Sequence, residues 1–275
     1  MPSLSLIIAV YKNIPALDLI LRGLKNQSFQ DFEVIIAEDN DSAEMADFIK
    51  NAQKRYNFNI KHISQPDLGF LKTMALNKSV AATESDYLVF IDGDCILHKY
   101  FLKAHFDNRE ESIALFGRRI MLSQKLTEIL YEKVVKQPVS SFKLDAGYAS
   151  YLSILNLLIT NSKRIDCAFY LPFLSSKIQA TTGIWGCNWS IHKKHLIAVN
   201  GFDEDYQKPG YGEDTDIEWR LFKLGIKLKK IKFKAIQYHL HHKENYADTF
   251  ENEKLRLKKQ AEGKVFCDKG LNQYL

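Results

Sequence analysis

The sequence is short of most features that would settle a protein's class at sight. It has only four cysteines, Cys95, Cys167, Cys187 and Cys267, and none stands in a Cys-x-x-Cys pair. A zinc ribbon or a thioredoxin-like site is therefore unsupported, and widely spaced cysteines point to free buried thiols in a reducing compartment. With 13 glycines and 6 prolines among 275 residues, collagen-like and low-complexity chains are excluded. A strong charge of one sign is also missing. The net charge of +5, from 38 basic and 33 acidic residues, suits a phosphate-bearing ligand or an anionic surface but does not argue for nucleic acid. The longest apolar stretch after the N-terminus, around 151–160, is about half of what a membrane span needs. Met1–Tyr11 is apolar but has no basic flank or cleavage site, so it does not read as a signal peptide. The expectation is a cytoplasmic protein, with peripheral contact at the inner membrane face left open. No P-loop, no Gly-x-Gly-x-x-Gly fingerprint and no Gly-x-Ser-x-Gly elbow occurs. No segment repeats at a fixed period.

What the chain does have is core-forming material: 46% hydrophobic residues, including 3 Trp, 13 Tyr and 17 Phe. That is enough to close a packed interior and excludes whole-chain disorder. The runs Leu4–Val10, Phe32–Ala37, Ile60–Ile63 and Tyr87–Ile91 are short and rich in β-branched residues, so they read as buried strands. Between them lie helical patterns. One opens at Pro15 with Leu17, Ile20, Leu21 and Leu24 on one face; a second runs from the N-cap Ser42 to about Tyr56; a third carries Met74, Ala75 and Leu76. This alternation predicts an α/β protein with a mostly parallel central sheet and helices on both faces. Polar residues gather just past the strand ends, where open α/β sheets bind ligands. The middle, 118–182, shows a mixed pattern and yields no assignment. Glu213–Leu224 reads as a helix stopped by Gly225. Ile226–Ile236 alternates apolar and lysine positions and reads as one strand with a basic face. The tail from about Glu251 is charged and helical.

Three constellations carry chemistry. Asp92-Gly93-Asp94 places two carboxylates on a turn after an apolar strand, where they can converge on a hard cation such as Mg²⁺ or Mn²⁺; Asp-Gly is also ordinary turn chemistry. Glu213-Asp214-Thr215-Asp216 follows Gly210-Tyr211-Gly212. Acids suit a helix start, and one projecting from it can act as a general base. His239, His241 and His242 offer imidazoles to a metal or simply end a strand in solvent. Trp185 and Trp189 flank Gly186 as a sugar platform or as core. The lysines at 227, 229, 230, 232 and 234 either meet an anionic lipid or charged glycan or guard a strand edge.

Taken jointly, Ser5–Tyr11, Asp92-Gly93-Asp94, Gly186-Cys187-Asn188-Trp189-Ser190, Gly201-Phe202-Asp203-Glu204 and Gly212–Asp216 resemble, in order and spacing, the family-2 glycosyltransferases of the GT-A fold. The likeness is to the branch with a galactosyltransferase-like C-terminal part, as in chondroitin-type polymerases, and covers about residues 3–245. The resemblance implies a nucleotide-sugar-binding half at 1–95, an acceptor-binding and catalytic half of the same domain at 96–245, and a tail at 246–275. It implies that Tyr11, Glu38, Asp39, Asp67, Gly69, Lys72, Asp92 and Gly93 bind the nucleotide. The family's Asp-Asp-Gly-Ser stretch reads Glu38-Asp39-Asn40-Asp41 here, a departure at Glu38. It further implies Asp94, with Asp92, as metal ligands together with His239, or His241 as the near alternative. Asp214 matches the general base and Glu213 its neighbour at the acceptor. Trp185, Gly186, Asn188 and Trp189 fall where the sugars lie. The implied reaction is inverting transfer of a hexose or N-acetylhexosamine from a nucleotide-sugar, UDP-linked by family habit, to a hydroxyl of a glycan or lipid-linked glycan, with Mn²⁺ or Mg²⁺. Two other readings are weaker. A sugar-phosphate nucleotidyltransferase needs a glycine- and cation-rich loop after the first strand, and Tyr11-Lys12-Asn13-Ile14-Pro15 offers none. A non-catalytic nucleotide- or carbohydrate-binding relative predicts loss of base or ligands, yet Asp92, Asp94, Asp214 and His239 all stand.

Overall fold

The computed structural model describes residues 1–136, 154–171, 173, 179–180, 183–210, 212–243 and 250–275. The first half alternates strictly: β1 Leu4–Val10, α1 Ile14–Leu24, β2 Phe32–Glu38, α2 Ala43–Arg55, β3 Asn59–Ile63, α3 Lys72–Ala82 and β4 Tyr87–Asp92. These four strands pair in parallel in the order β3-β2-β1-β4. Sequence pattern explains the layering. Along β1, Leu6, Ile8 and Val10 pack with Leu17, Leu21 and Ile49 of α1 and α2. Ile7 points to the other face, into a cluster that holds Ala75 and Val80 of α3. A strand buried on both faces has no polar alternation, which is why these runs are continuously apolar. Ser42 caps α2 as expected, its hydroxyl accepting from Met45 N at 3.2 Å.

The second half returns to the same sheet and adds a smaller one. Its elements are β5 Cys95–Leu97, α4 Phe101–Asp107, β6 Ile113–Phe116, β7 Arg118–Met121, α5 Gln124–Lys136, α6 Ile154–Ile159, β8 Gln179–Ala180, β9 Trp189–His192, α7 Lys193–Ala198, α8 Glu213–Lys223, β10 Lys227–Lys230, β11 Ile236–His239 and α9 Phe250–Glu262. The large sheet continues β4-β9-β6-β10-β8, with β9 antiparallel between β4 and β6. The small sheet is β5-β11-β7. Helix α8 packs Ile217 and Leu221 on the α3 side of the large sheet. Gly225, at φ +84°, ends the turn after α8 in the left-handed region, as its position predicts.

The expected single strand at Ile226–Ile236 is two strands in two sheets. β10 stops because Ile231 and Ala235 are buried and the chain turns there, Lys234 N and Ala235 N both donating to Ile231 O at 3.0 Å. The lysines consequently do not share one face. Lys229 pairs with Glu110, Lys232 with Asp166, and Lys234 reaches Asn108. All four cysteines are buried and free. No described helix is long and apolar enough to cross a membrane; the described residues of the apolar stretch near 151–160 form the six-residue α6.

Candidate active site

Strand β4 ends at Asp92, and the chain turns at once. Gly93 N donates to Ala9 O of β1 at 2.7 Å, and a Cβ at 93 would lie 2.8 Å from that same oxygen. Only glycine allows the turn to lie this close to β1, and the turn places the flanking acids on different partners. Asp94 leads into β5, which pairs antiparallel with β11 in a register that sets Cys95 opposite His239. Leu240 N then donates to Asp94 O at 2.9 Å, and the chain doubles back so that His242 covers His239 with ring centroids 4.9 Å apart. Both Nε2 atoms converge on Asp94 Oδ2, at 3.3 Å for His239 and 3.1 Å for His242, and lie 3.3 Å from each other. Ligands about 2.1 Å from one cation and roughly at right angles lie about 3 Å apart, so this triangle has the dimensions of a metal's ligand face. Burial would raise the Asp94 carboxyl, but the hydrogen bonds from His239 and His242 hold it far below the ordinary range. The histidine alternative resolves differently from expectation. His241 is exposed and makes its bond through its backbone, to Thr127 Oγ1, so His242 is the second imidazole of the cluster. The reason is geometric: past the end of β11 the strand alternation lapses, and the ring three residues on folds back over the first.

Asp92 faces the other way. Its Oδ1 accepts from Lys72 Nζ at 3.1 Å and its Oδ2 lies 3.4 Å from Arg119 Nη1. Lys72 opens α3 and stands between two acidic groups, with Glu213 Oε1 of α8 3.9 Å away. Asp214 accepts from Gly186 N at 2.7 Å. A methyl group on Gly186 would sit 2.8 Å from Asp214 Oδ1 and 3.2 Å from Lys72 Nζ, so the carboxylate and the ammonium face one small space that only glycine leaves open. Glu213 is buried, and its Oε2 has no hydrogen-bond partner. Burial, then the adjacent Asp214 charge, push it up to about 7. Burial likewise raises Asp214, against the pull of Lys72. Desolvation alone would lower Lys72, but the charges of Asp92, Asp214 and Glu213 raise it. Asp216, the last acid of the stretch, does not join them. It is buried in an ion pair with Arg220 at 2.7 Å and accepts from Tyr206.

A cleft of about 620 Å³ opens beside these groups, lined by Tyr11, Asp39, Gly69, Phe70, Lys72, Asp92, Gly93, Asp94, Pro209 and His242 among others. Asp39 is fixed by Gln65 Nε2 at 2.7 Å and Leu71 N at 2.8 Å, and burial raises its carboxyl. Gly69, at φ +103°, turns the loop into α3. Asp67 stands at the rim, held by Tyr11 Oη at 3.2 Å and by Lys12 Nζ at 2.5 Å. Glu38 does not reach the cleft. It is fully buried and accepts from His62 at 2.7 Å and from Asn40, so it braces the loop after β2 instead of meeting a nucleotide.

The expected sugar-facing group divides. Trp189 is 0% exposed and stacks on Phe90 at 4.5 Å, so its ring is core and offers no platform. Asn188 is also buried, tied to Arg118 O, Ala235 O and His105 Nε2. Both sit on β9 or at its start, in the middle of the sheet, which is why their side chains are consumed. Trp185 is partly exposed, with Arg118 and Arg164 over its ring at 4.3 and 4.7 Å. The sequence reading missed Lys12, Arg119 and Glu218. Glu218 Oε2 accepts from Gly183 N at 2.7 Å and Ile184 N at 2.6 Å, pinning the segment that carries Trp185 and Gly186. Its spacing was a usable signal, because Asp214 and Glu218 are four apart on one helix face. Arg119 carried no such signal; it sits next to Asp92 only because β7 pairs with β11.

The model for glycosyl transferase family 2 matches residues 5–133, and the model for the N-terminal domain of galactosyltransferase matches residues 173–243. Validoxylamine A glucosyltransferase of Streptomyces hygroscopicus subsp. jinggangensis is 25% identical over 232 residues, 82% of this chain and 52% of that protein. The GalNAc(5)-diNAcBac-PP-undecaprenol β-1,3-glucosyltransferase of Campylobacter jejuni is 23% identical over 181 residues, 62% of this chain and 57% of its own length. The chain thus spans about half the length of these curated relatives. Among solved structures, the mannosyltransferase PcManGT from Pyrobaculum calidifontis, in complex with GDP-Man and Mn²⁺, superposes with a TM-score of 0.60 at 12% identity, over 95% of this chain and 64% of that one. GalNAc-T7 with UDP, GalNAc and Mn²⁺ gives a TM-score of 0.63 at 12% identity, covering 94% of this chain and 48% of the other. At such identities the structures establish the fold, which is GT-A, and the family models show what the sequence is similar to: glycosyl transferase family 2 over residues 5–133 and the galactosyltransferase N-terminal domain over residues 173–243.

Proposed function

We propose that the chain catalyses inverting, metal-dependent transfer of a hexose or N-acetylhexosamine from a nucleotide-sugar, UDP-linked, to a hydroxyl of a glycan or lipid-linked glycan. The observation that carries this reading is the convergence of Asp94, His239 and His242 at one end of the cleft, with Asp214 across Lys72 from Asp92. The cleft has the polarity a nucleotide needs: Asp39 fixed at one end, the Tyr11–Asp67 rim above, and a bare Gly69 turn where a backbone can approach a diphosphate. The three-atom ligand set fits a divalent cation, and two imidazoles favour Mn²⁺ over Mg²⁺, which prefers oxygen alone. When bound, such an ion offsets the charge that accumulates on the leaving diphosphate.

The protein's own groups account for the rest. Lys72 brings a second positive charge, held in place by Asp92 at 3.1 Å, to the same departing phosphates. Asp214 is held by Gly186 N–H, and its second oxygen is free to accept the acceptor hydroxyl's proton as that oxygen attacks the anomeric carbon. The C–O bond to the diphosphate breaks as the new glycosidic bond forms, and attack opposite the leaving group inverts the centre. A retaining route by double displacement needs a second carboxylate as nucleophile. Glu213 is buried with one oxygen toward Lys72, and Asp216 is locked to Arg220, so neither is placed for that role.

The test is calorimetric titration of the protein with UDP, GDP, CDP and TDP, each with Mn²⁺ and then with EDTA. Metal-dependent binding of UDP alone supports the reading. Binding of none of the four, or binding that EDTA leaves unchanged, overturns it.

A further inference from the structure

The segment Gly183–Gly186 is fastened to α8 by two carboxylates, Glu218 on the N–H groups of Gly183 and Ile184 and Asp214 on that of Gly186. The residue between, Trp185, was expected to offer its ring to a sugar. Two guanidiniums already lie over that ring, Arg118 at 4.3 Å and Arg164 at 4.7 Å. One arginine on a tryptophan is common and stabilising. Two on one indole lie within about a Debye length of each other and repel. Neither has a carboxylate within ion-pair distance among the described residues. Arg118 instead donates through Nη1 to Gly183 O at 2.8 Å and Gly117 O at 3.3 Å. β10 sets Lys230 in register with Phe116, the ring that Arg118 also approaches at 5.2 Å, and Lys232 follows it. Burial and then the charge of Arg118 hold the Lys230 ammonium below its usual value, and Lys232 alone is neutralised, by Asp166. A folded chain gains nothing by gathering three unpaired cations beside a catalytic base unless an anion joins them.

Resting on the transferase reading above, we propose that Arg118 and Arg164, gathered at Trp185 beside Asp214, with Lys230 across from Phe116, bind an anionic group on the acceptor, next to the hydroxyl that is glycosylated. The planar fork of a guanidinium pairs with carboxylate or phosphate oxygens in two parallel bonds. Trp185 then acts as the stage that holds the two forks apart, and not as a sugar-stacking face. The shared chemistry is an anionic oxygen group, carried either as a uronic-acid carboxylate in a glycan or as the phosphate of a lipid-linked sugar.

The experiment uses the full chain saturated with Mn²⁺ and UDP and follows tryptophan fluorescence. In one arm a hyaluronan tetrasaccharide is compared with its carboxyl-reduced form. In the other, farnesyl-diphosphate-linked N-acetylglucosamine is compared with farnesyl N-acetylglucosaminide. The expected result is that the charged member of one pair binds at least about tenfold more tightly, and the arm that responds identifies the source of the anion. Arg164→Asn removes one fork and suits a backbone at φ +58°, a conformation asparagine tolerates. It should abolish the preference while leaving Mn²⁺-dependent UDP affinity within about twofold, and Lys230→Gln should reduce the preference. Equal or absent binding of charged and neutral members in both arms overturns the inference, as does a preference that survives Arg164→Asn. UDP binding to the parent protein is measured first; if it fails, the transferase reading falls before this one is reached, so the two failures are told apart.

Discussion

Two acidic clusters meet at the cleft, and they are tuned in opposite directions. In Asp92-Gly93-Asp94 the carboxylates are separated by a glycine that lets the chain lie against β1, and each finds two donors, Lys72 and Arg119 for Asp92 and the two histidines for Asp94. Asp94 is held well below the ordinary range by its two histidines. In Glu213-Asp214 the acids are adjacent on the first turn of α8 and share one ammonium, Lys72, so burial dominates and Glu213 rises to about 7. Composition is nearly the same in both, and partner count decides the chemistry. A carboxylate surrounded by donors is a permanent anion suited to hold a cation, whereas one short of partners takes up protons near neutrality and suits proton transfer.

The sharpest way to break this contrast is Asp214→Asn. It should lower kcat by about 10²–10⁴-fold while UDP affinity stays within a few-fold, read by steady-state kinetics and calorimetry together. Turnover that survives would remove Asp214 as the base. Asp216→Ala tests the third acid of the same stretch, which belongs to neither class. Leaving Arg220 buried without its partner should cost about 3–5 kcal/mol of stability in chemical denaturation, and a near-neutral result would show that the pair is not buried as described. Asp94→Ala and His242→Ala should each weaken Mn²⁺-dependent UDP binding by at least about tenfold, while His241→Ala should leave it unchanged. If His241→Ala is the damaging change, the fold-back of His242 is wrong. Gly186→Ala should slow transfer by about tenfold without lowering the melting temperature, since its methyl enters the space shared by Asp214 and Lys72. The smallest effect is in the pH profile. With Asp214 as the base, transfer needs it ionised, and burial raises its carboxyl, so the rate should fall toward acid pH as Asp214 takes up a proton. Glu213→Gln removes the neighbouring negative charge, lowers the Asp214 pKa and should move that acid limb to lower pH; a limb that does not move would separate the two groups.

How far the sequence was readable follows from the range of the forces involved. Strands β1, β2 and β4 were legible because a strand buried on both faces writes itself as a short apolar run, and the acids at its end mark the turn. Helix α8 and its stop at Gly225 were legible for the same local reasons. What failed depended on distant neighbours. Trp185 and Trp189 are the same residue type four positions apart, yet β9 takes one into the core beside Phe90 and leaves the other under two arginines. The lysine alternation from 227 to 234 imitated one strand, because nothing local reveals that Ile231 and Ala235 are both buried and bend the chain. His241 and His242 could not be told apart, since the choice is made by how the chain leaves β11. Glu38 was assigned by analogy to a pattern this chain departs from, and His62 claims it instead.

The small sheet has a consequence for how the protein comes into being. Among the described residues its central strand, β11, is the only partner that β5 and β7 have within that sheet, and it lies more than half the chain length beyond β5. Asp94 emerges from the ribosome early but waits for His239 and His242, so the cleft can be framed long before the proposed cation site is complete. A chain cut short between β5 and β11 should therefore keep the four parallel strands and α1 to α3 while lacking the metal affinity proposed at Asp94, and metal retention would report on completion of the small sheet and not merely on folding of the first half.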